Sequence, residues 1–101
     1  MSYSLTIFDA DDTPAEQRRE AEKRFRRSLE SSLGNATLVA QVYTAFQGIV
    51  GVYGENPDLD GLTDAERAVV EQWLQAETAA VAAAFGPHRY MGDAMFEIRV
   101  L

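Results

Sequence analysis

Apolar and polar positions alternate at both ends of the chain and recur with helical spacing between them. From Ser2 to Phe8, Tyr3, Leu5 and Ile7 alternate with Ser2, Ser4 and Thr6, the two-residue period of a strand with one buried face. Phe96-Glu97-Ile98-Arg99-Val100 alternates in the same way. Three longer stretches repeat their apolar residues every three or four positions, which predicts helices. The first opens at Thr13-Pro14-Ala15-Glu16, with Thr13 as N-cap, Pro14 at the first helical position and Glu16 completing a capping box; it runs to Leu33 and stops at Gly34. The second begins at Asn35 or Ala36 and ends near Tyr53, before Gly54. The third opens on another capping box, Thr63-Asp64-Ala65-Glu66, and ends at Phe85, before Gly86-Pro87.

The order β-α-α-α-β predicts an α+β fold in one globular domain spanning residues 1–101. Three helices pack on a small sheet formed by the N- and C-terminal strands. A two-stranded sheet is marginal by itself. Both strands would keep an open edge, and neither carries a proline to block it. Edge-to-edge dimerisation into a four-stranded sheet is therefore expected.

The second helix differs from the others. From Ser31 to Gly54 there is no charge, in a chain with 25% charged residues. On a helical wheel Leu38, Val39, Val42, Tyr43, Ala45, Phe46, Ile49, Val50, Val52 and Tyr53 share one half, which should face a core. Ala40, Gln41, Thr44, Gln47, Gly48 and Gly51 fill the other half. A solvated face would ordinarily carry Lys and Glu. This one is small and uncharged, and Gln41, Thr44, Gln47, Gly48 and Gly51 are candidate interface residues.

Composition narrows the classes. A 47% hydrophobic fraction over 101 residues suits a small globular core and is too high for disorder. With no cysteine, disulfide scaffolds and thiolate metal sites are excluded, and the expected compartment is the cytoplasm. The stretch from Leu38 to Tyr53 is short for a bilayer and holds two Gln and two Gly, so no membrane span is expected. Net charge is −7, but six of the nine basic residues lie between Arg18 and Arg27. The acidic remainder repels nucleic acid, which is not an expected partner.

The basic cluster reads as a solvated helix face, with i,i+4 pairs expected between Glu20 and Arg24 and between Arg26 and Glu30. Arg18 and Glu22 interrupt the inward stripe of Ala21, Phe25, Leu29 and Leu33, and Glu77 interrupts that of the third helix. A buried carboxylate must be protonated or paired, and Arg18 is the favoured partner for Glu77. Arg18, Tyr43, Glu77 and His88 are the candidate ligand-binding residues. Asn56, Asp58, Asp60 and Gly61 match the start of a calcium loop, but Arg67 stands where its last ligand should be, so a turn explains them better. His88 is the only histidine, which excludes a multi-histidine metal site within one chain. Gly48, Gly51 and Gly54 lack the strand-to-helix setting of a phosphate loop.

No catalytic constellation stands out, and no cofactor or metal is expected. The expectation is a non-enzymatic, acidic protein-interaction domain: a homo-oligomer such as a homodimer, an adaptor, or a small neutralising partner of another protein. The alternative is a small-molecule-binding or small enzymatic domain with its site between the helices around Arg18 and Glu77. A solvent-reached pocket with converging polar groups would favour the alternative.

Overall fold

The computed structural model describes residues 1–8, 14–54, 58–86 and 95–101. Along the chain run strand β1 (Tyr3–Phe8), helices α1 (Ala15–Leu33), α2 (Ala36–Tyr53) and α3 (Asp64–Phe85), and strand β2 (Met95–Val100); a 3₁₀ turn, Leu59–Gly61, precedes α3. The order is β-α-α-α-β, and the three helices pack on an antiparallel two-stranded sheet made of the terminal strands.

In the sheet Tyr3 stands opposite Val100, Leu5 opposite Ile98 and Ile7 opposite Phe96. The Leu101 N–H donates to the Ser2 carbonyl at 2.9 Å. That bond sets the phase of the ladder, because paired residues alternate between bonded and non-bonded positions. Tyr3, Leu5 and Ile7 thus turn their backbone groups to the outer edge of β1. Phe96, Ile98 and Val100 turn theirs to the outer edge of β2.

Both strands were expected to keep an open edge; that of β1 is engaged at Ile7 and, just ahead of the strand, at Met1. The Ile7 N–H donates to the Glu22 carboxylate at 3.0 Å, and the Thr37 hydroxyl donates to the Met1 carbonyl at 3.1 Å. Helices α1 and α2 run beside this strand, and Glu22, which breaks the apolar stripe of α1, does so to reach its edge.

Helix α1 buries Ala21, Phe25, Leu29 and Leu33, an i,i+4 ladder along one face. Phe25 meets Phe96 of β2 with ring centroids 4.7 Å apart. The helix starts one residue later than expected. Pro14 has ψ 141, an extended value, and acts as the N-cap through its carbonyl, which accepts from the Arg18 N–H at 3.1 Å. The expected cap, Thr13, lies outside the described residues.

Between α1 and α2 the chain turns on Gly34, whose φ of 118 favours glycine and where an added Cβ would meet Leu38 Cδ1 at 2.6 Å. Asn35 then caps α2 by accepting from the Leu38 N–H at 3.0 Å. The capping box of α3 forms in full, with Thr63 N–H to Glu66 at 3.0 Å and Glu66 N–H to Thr63 Oγ1 at 3.2 Å. Asp58, counted among the calcium-loop residues, accepts from the Asp60 N–H at 3.0 Å and so caps the 3₁₀ turn. Asn56 lies outside the described residues.

The core centres on Trp73, Phe25, Ile7, Leu29 and Val39. Burying side chains of this size contributes roughly 1.5–3 kcal/mol each. A smaller cluster of Ile49, Leu62 and Val70 joins the far end of α2 to the start of α3. Among the described residues no polar or charged side chain is fully buried.

Candidate interaction face

Helix α2 packs against α3, α1 and β1 from one side only. Its buried arc holds Val39, Ala40 and Ile49, with Val42, Tyr43, Phe46 and Val50 half-buried. This differs from the wheel in two ways. Ala40, assigned to the outward half, is fully buried. Leu38, Ala45, Val52 and Tyr53, assigned to the inward half, are exposed. A wheel ranks directions by side-chain hydrophobicity, whereas the buried arc is set by where neighbours stand. A small residue such as Ala40 fits the closest approach.

All five candidate interface residues, Gln41, Thr44, Gln47, Gly48 and Gly51, are exposed. The Thr44 hydroxyl donates back to the Ala40 carbonyl at 2.8 Å. A Cβ built on Gly48 or Gly51 meets nothing within 4 Å. Leu38, Gln41, Ala45, Gly48 and Val52 follow one another at alternating intervals of three and four residues, so they form one seam along the exposed face. Val52 keeps 77% of its surface in solvent and Leu38 39%. The contribution of Leu38 and Val52 to this face was missed by the hydrophobicity wheel; their seven-residue spacing through Ala45 is the signal that marks it.

The outer face of α3 is similar. Leu74, Gln75, Thr78, Ala79 and Ala82 line a shallow apolar hollow of about 440 Å³. The later part of α3, from Gln72 to Phe85, carries one charge, Glu77, and that residue is half-buried. Uncharged surface therefore covers both α2 and the later turns of α3, while charge collects on α1.

Much of that charge is engaged within the chain. Arg24 donates to the carbonyls of Ala83 and Ala84 at 3.2 and 3.1 Å, closing the C-terminal end of α3. Arg26 lies over the Tyr3 ring, 4.8 Å from its centroid, and the Tyr3 hydroxyl donates to Glu30 at 3.3 Å. The expected i,i+4 pairs are consequently absent. Glu20 pairs instead with Lys23, at 3.4 Å, and the pair is well exposed. Burial, reinforced by the Glu30 charge, pushes the Tyr3 hydroxyl up to about 12.

Of the candidate ligand-binding residues, Tyr43 and Glu77 come within electrostatic reach of each other. Tyr43 packs on Trp73 with centroids 4.9 Å apart, and Phe46 lies 5.9 Å from the same ring. Burial raises the Tyr43 hydroxyl, and the Glu77 carboxylate adds to this. Burial also raises Glu77, against an opposing interaction with the Trp73 side chain. Tyr43 and Glu77 are thus in each other's field. Arg18 makes no ion pair with Glu77; its Nε is buried without a hydrogen-bond partner among the described residues. His88 lies outside the described residues. Neither the hollow on α3 nor the polar one lined by Glu16, Gln17, Glu20 and Arg24 includes Arg18, Tyr43 or Glu77.

Among the described residues no group of three or more His, Asp or Glu is placed to hold a metal ion. No described helix is long and apolar enough to cross a membrane. Comparisons with protein-family models, curated proteins and solved structures find no match.

Proposed function

We propose that this chain is a non-enzymatic, acidic protein-interaction domain that receives a helix of a partner protein along the outer face of α2. The observation that carries the reading is the exposed seam Leu38-Gln41-Ala45-Gly48-Val52, uncharged throughout and with open space above Gly48 and Gly51. Small residues let a second helix approach closely, and the leucine and valine at the two ends of the seam supply apolar area. The acidic bulk outside α1 favours a partner with basic residues flanking its apolar stripe.

The test is a photo-crosslinking amino acid placed at Gln41 and, separately, at Arg27 on the charged face of α1, in the native cell. A discrete adduct from position 41 that position 27 does not give supports the reading. The adduct should vanish in a Gly48→Arg background whose circular dichroism is unchanged. Equal labelling from both positions, or an adduct that survives Gly48→Arg, overturns it.

A further inference from the structure

Each of the two strands has one outer edge, and the two edges differ. That of β1 has α1 and α2 beside it, with Glu22 accepting from the Ile7 N–H and Thr37 donating to the Met1 carbonyl just ahead of the strand. That of β2 presents the N–H and C=O groups of Phe96, Ile98 and Val100, and among the described residues nothing bonds to them. No helix packs along β2 as α1 and α2 pack along β1. A molecule with one free edge can add one strand and then stop. A molecule with two free edges would grow into a ribbon.

The side chains of β2 indicate which strand fits. On its solvent face Glu97 and Arg99 stand two residues apart on either side of Ile98, joined by a 2.6 Å contact and exposed by 43% and 73%. We propose that the occupant is a second copy of this chain, paired antiparallel along β2 about a two-fold axis at Ile98. In that register Ile98 bonds Ile98 of the second copy, and Phe96 and Val100 bond Val100 and Phe96. All three are the residues whose backbone groups point outward. Glu97 then stands opposite Arg99 of the second copy, and Arg99 opposite its Glu97, on one face of the sheet. Centring the axis on Phe96 or Val100 instead removes both charge pairs and leaves part of the strand unpaired. The product is a closed dimer with a continuous sheet in the order β1-β2-β2-β1. This proposal concerns the β2 edge and leaves the α2 face free, so it stands or falls separately from the proposed function.

The experiment is sedimentation equilibrium of the purified chain, from micromolar to submillimolar concentration, with variants at Glu97 and Arg99 and, as a control, Gly48→Arg. Wild type should dimerise. Glu97→Arg alone and Arg99→Glu alone each place like charges opposite one another twice per dimer, and each should weaken the dimer by roughly tenfold or more. An equimolar mixture of the two single variants should associate again, because one copy then offers two arginines and the other two glutamates. The exchanged double variant, Glu97→Arg with Arg99→Glu, should dimerise like wild type. Amide exchange at Phe96, Ile98 and Val100 should slow with concentration. A wild type that stays monomeric, single variants that dimerise unchanged, or a mixture that stays monomeric overturns the proposal. Loss of the dimer in Gly48→Arg with no effect of Arg99→Glu would move the contact to α2 and overturn it equally.

Discussion

Replacing Gly48 and Gly51 by alanine separates the cost of the α2 face from its use. Both glycines have helical backbones, since positive φ among the described glycines is confined to Gly34, Gly54 and Gly86. Both face open space, where a Cβ meets nothing within 4 Å. Steric cost is therefore absent, and the backbone entropy lost by glycine on helix formation is the whole effect. Each glycine costs the helix about 0.8–1 kcal/mol relative to alanine. The two sites stand one turn apart, but both changes act on backbone entropy alone, so the double variant should gain about 1.5–2 kcal/mol. For a domain of this size that is a rise in Tm of roughly 6–15 °C. Urea titration and thermal melts at low micromolar concentration, below any association, measure it. The proposed function adds a second requirement, that the stabilised variant binds its partner more weakly because each methyl holds the incoming helix away. A variant no more stable than wild type would refute the account of the face as open. A stabilised variant that crosslinks as well as wild type would refute the account of why the glycines are there.

Glu77→Gln should be at least as stable as wild type at pH 7, because burial raises the carboxyl and no ion pair holds it among the described residues. A raised folded value means that the carboxyl favours folding below its unfolded value and loses that contribution as pH rises through the folded value. Urea titrations from pH 4 to pH 8 should therefore show wild type losing ground to the variant as pH rises; a variant markedly less stable at pH 7 would show that the charged form is paired after all. Tyr3, held neutral up to about 12, should contribute stability below pH 10 that is lost between about pH 10 and 12, a loss that Tyr3→Phe should not show. Arg24→Met keeps most of the stem and removes two charge-assisted bonds to the end of α3, so it should cost about 1–2 kcal/mol and speed amide exchange in the last turn of α3 before the rest of that helix. Uniform exchange throughout α3 would show that Arg24 is not what closes its end.

The elements were readable because their signals are local. Asn35, Thr63 with Glu66, and the glycines at 34, 54 and 86 act on the backbone within a few residues, and they end or begin helices where the sequence places them. The pairing of the terminal strands followed from there being two of them. What was not readable involves partners distant in sequence. Arg24 and Glu20 have the spacing of a helical ion pair, but the unsatisfied carbonyls of Ala83 and Ala84 compete for the guanidinium and win. Glu22 looks like an interruption of an apolar stripe until the Ile7 N–H is beside it. Tyr3 draws both Arg26 and Glu30 away from each other. The interface candidates on α2 rested on an absence of charge, which survives a modest error in wheel direction. The exact arc did not survive it, because Ala40 and Leu38 exchange sides according to which neighbours pack there.

The closure of the sheet has a consequence for how the protein is made. Tyr3 pairs with Val100, so β1 leaves the ribosome more than 90 residues ahead of its strand partner. At about 5–20 residues per second, β1 spends roughly 5–20 s with no strand partner. In that interval α1 and α2 have already emerged, and they carry the groups that hold β1: Glu22 for the Ile7 N–H, Thr37 for the Met1 carbonyl, and Phe25 and Leu29 for its apolar face. The nascent chain therefore holds its own chaperone for β1, and the strand is partly sheltered from neighbouring polysomal chains before β2 exists.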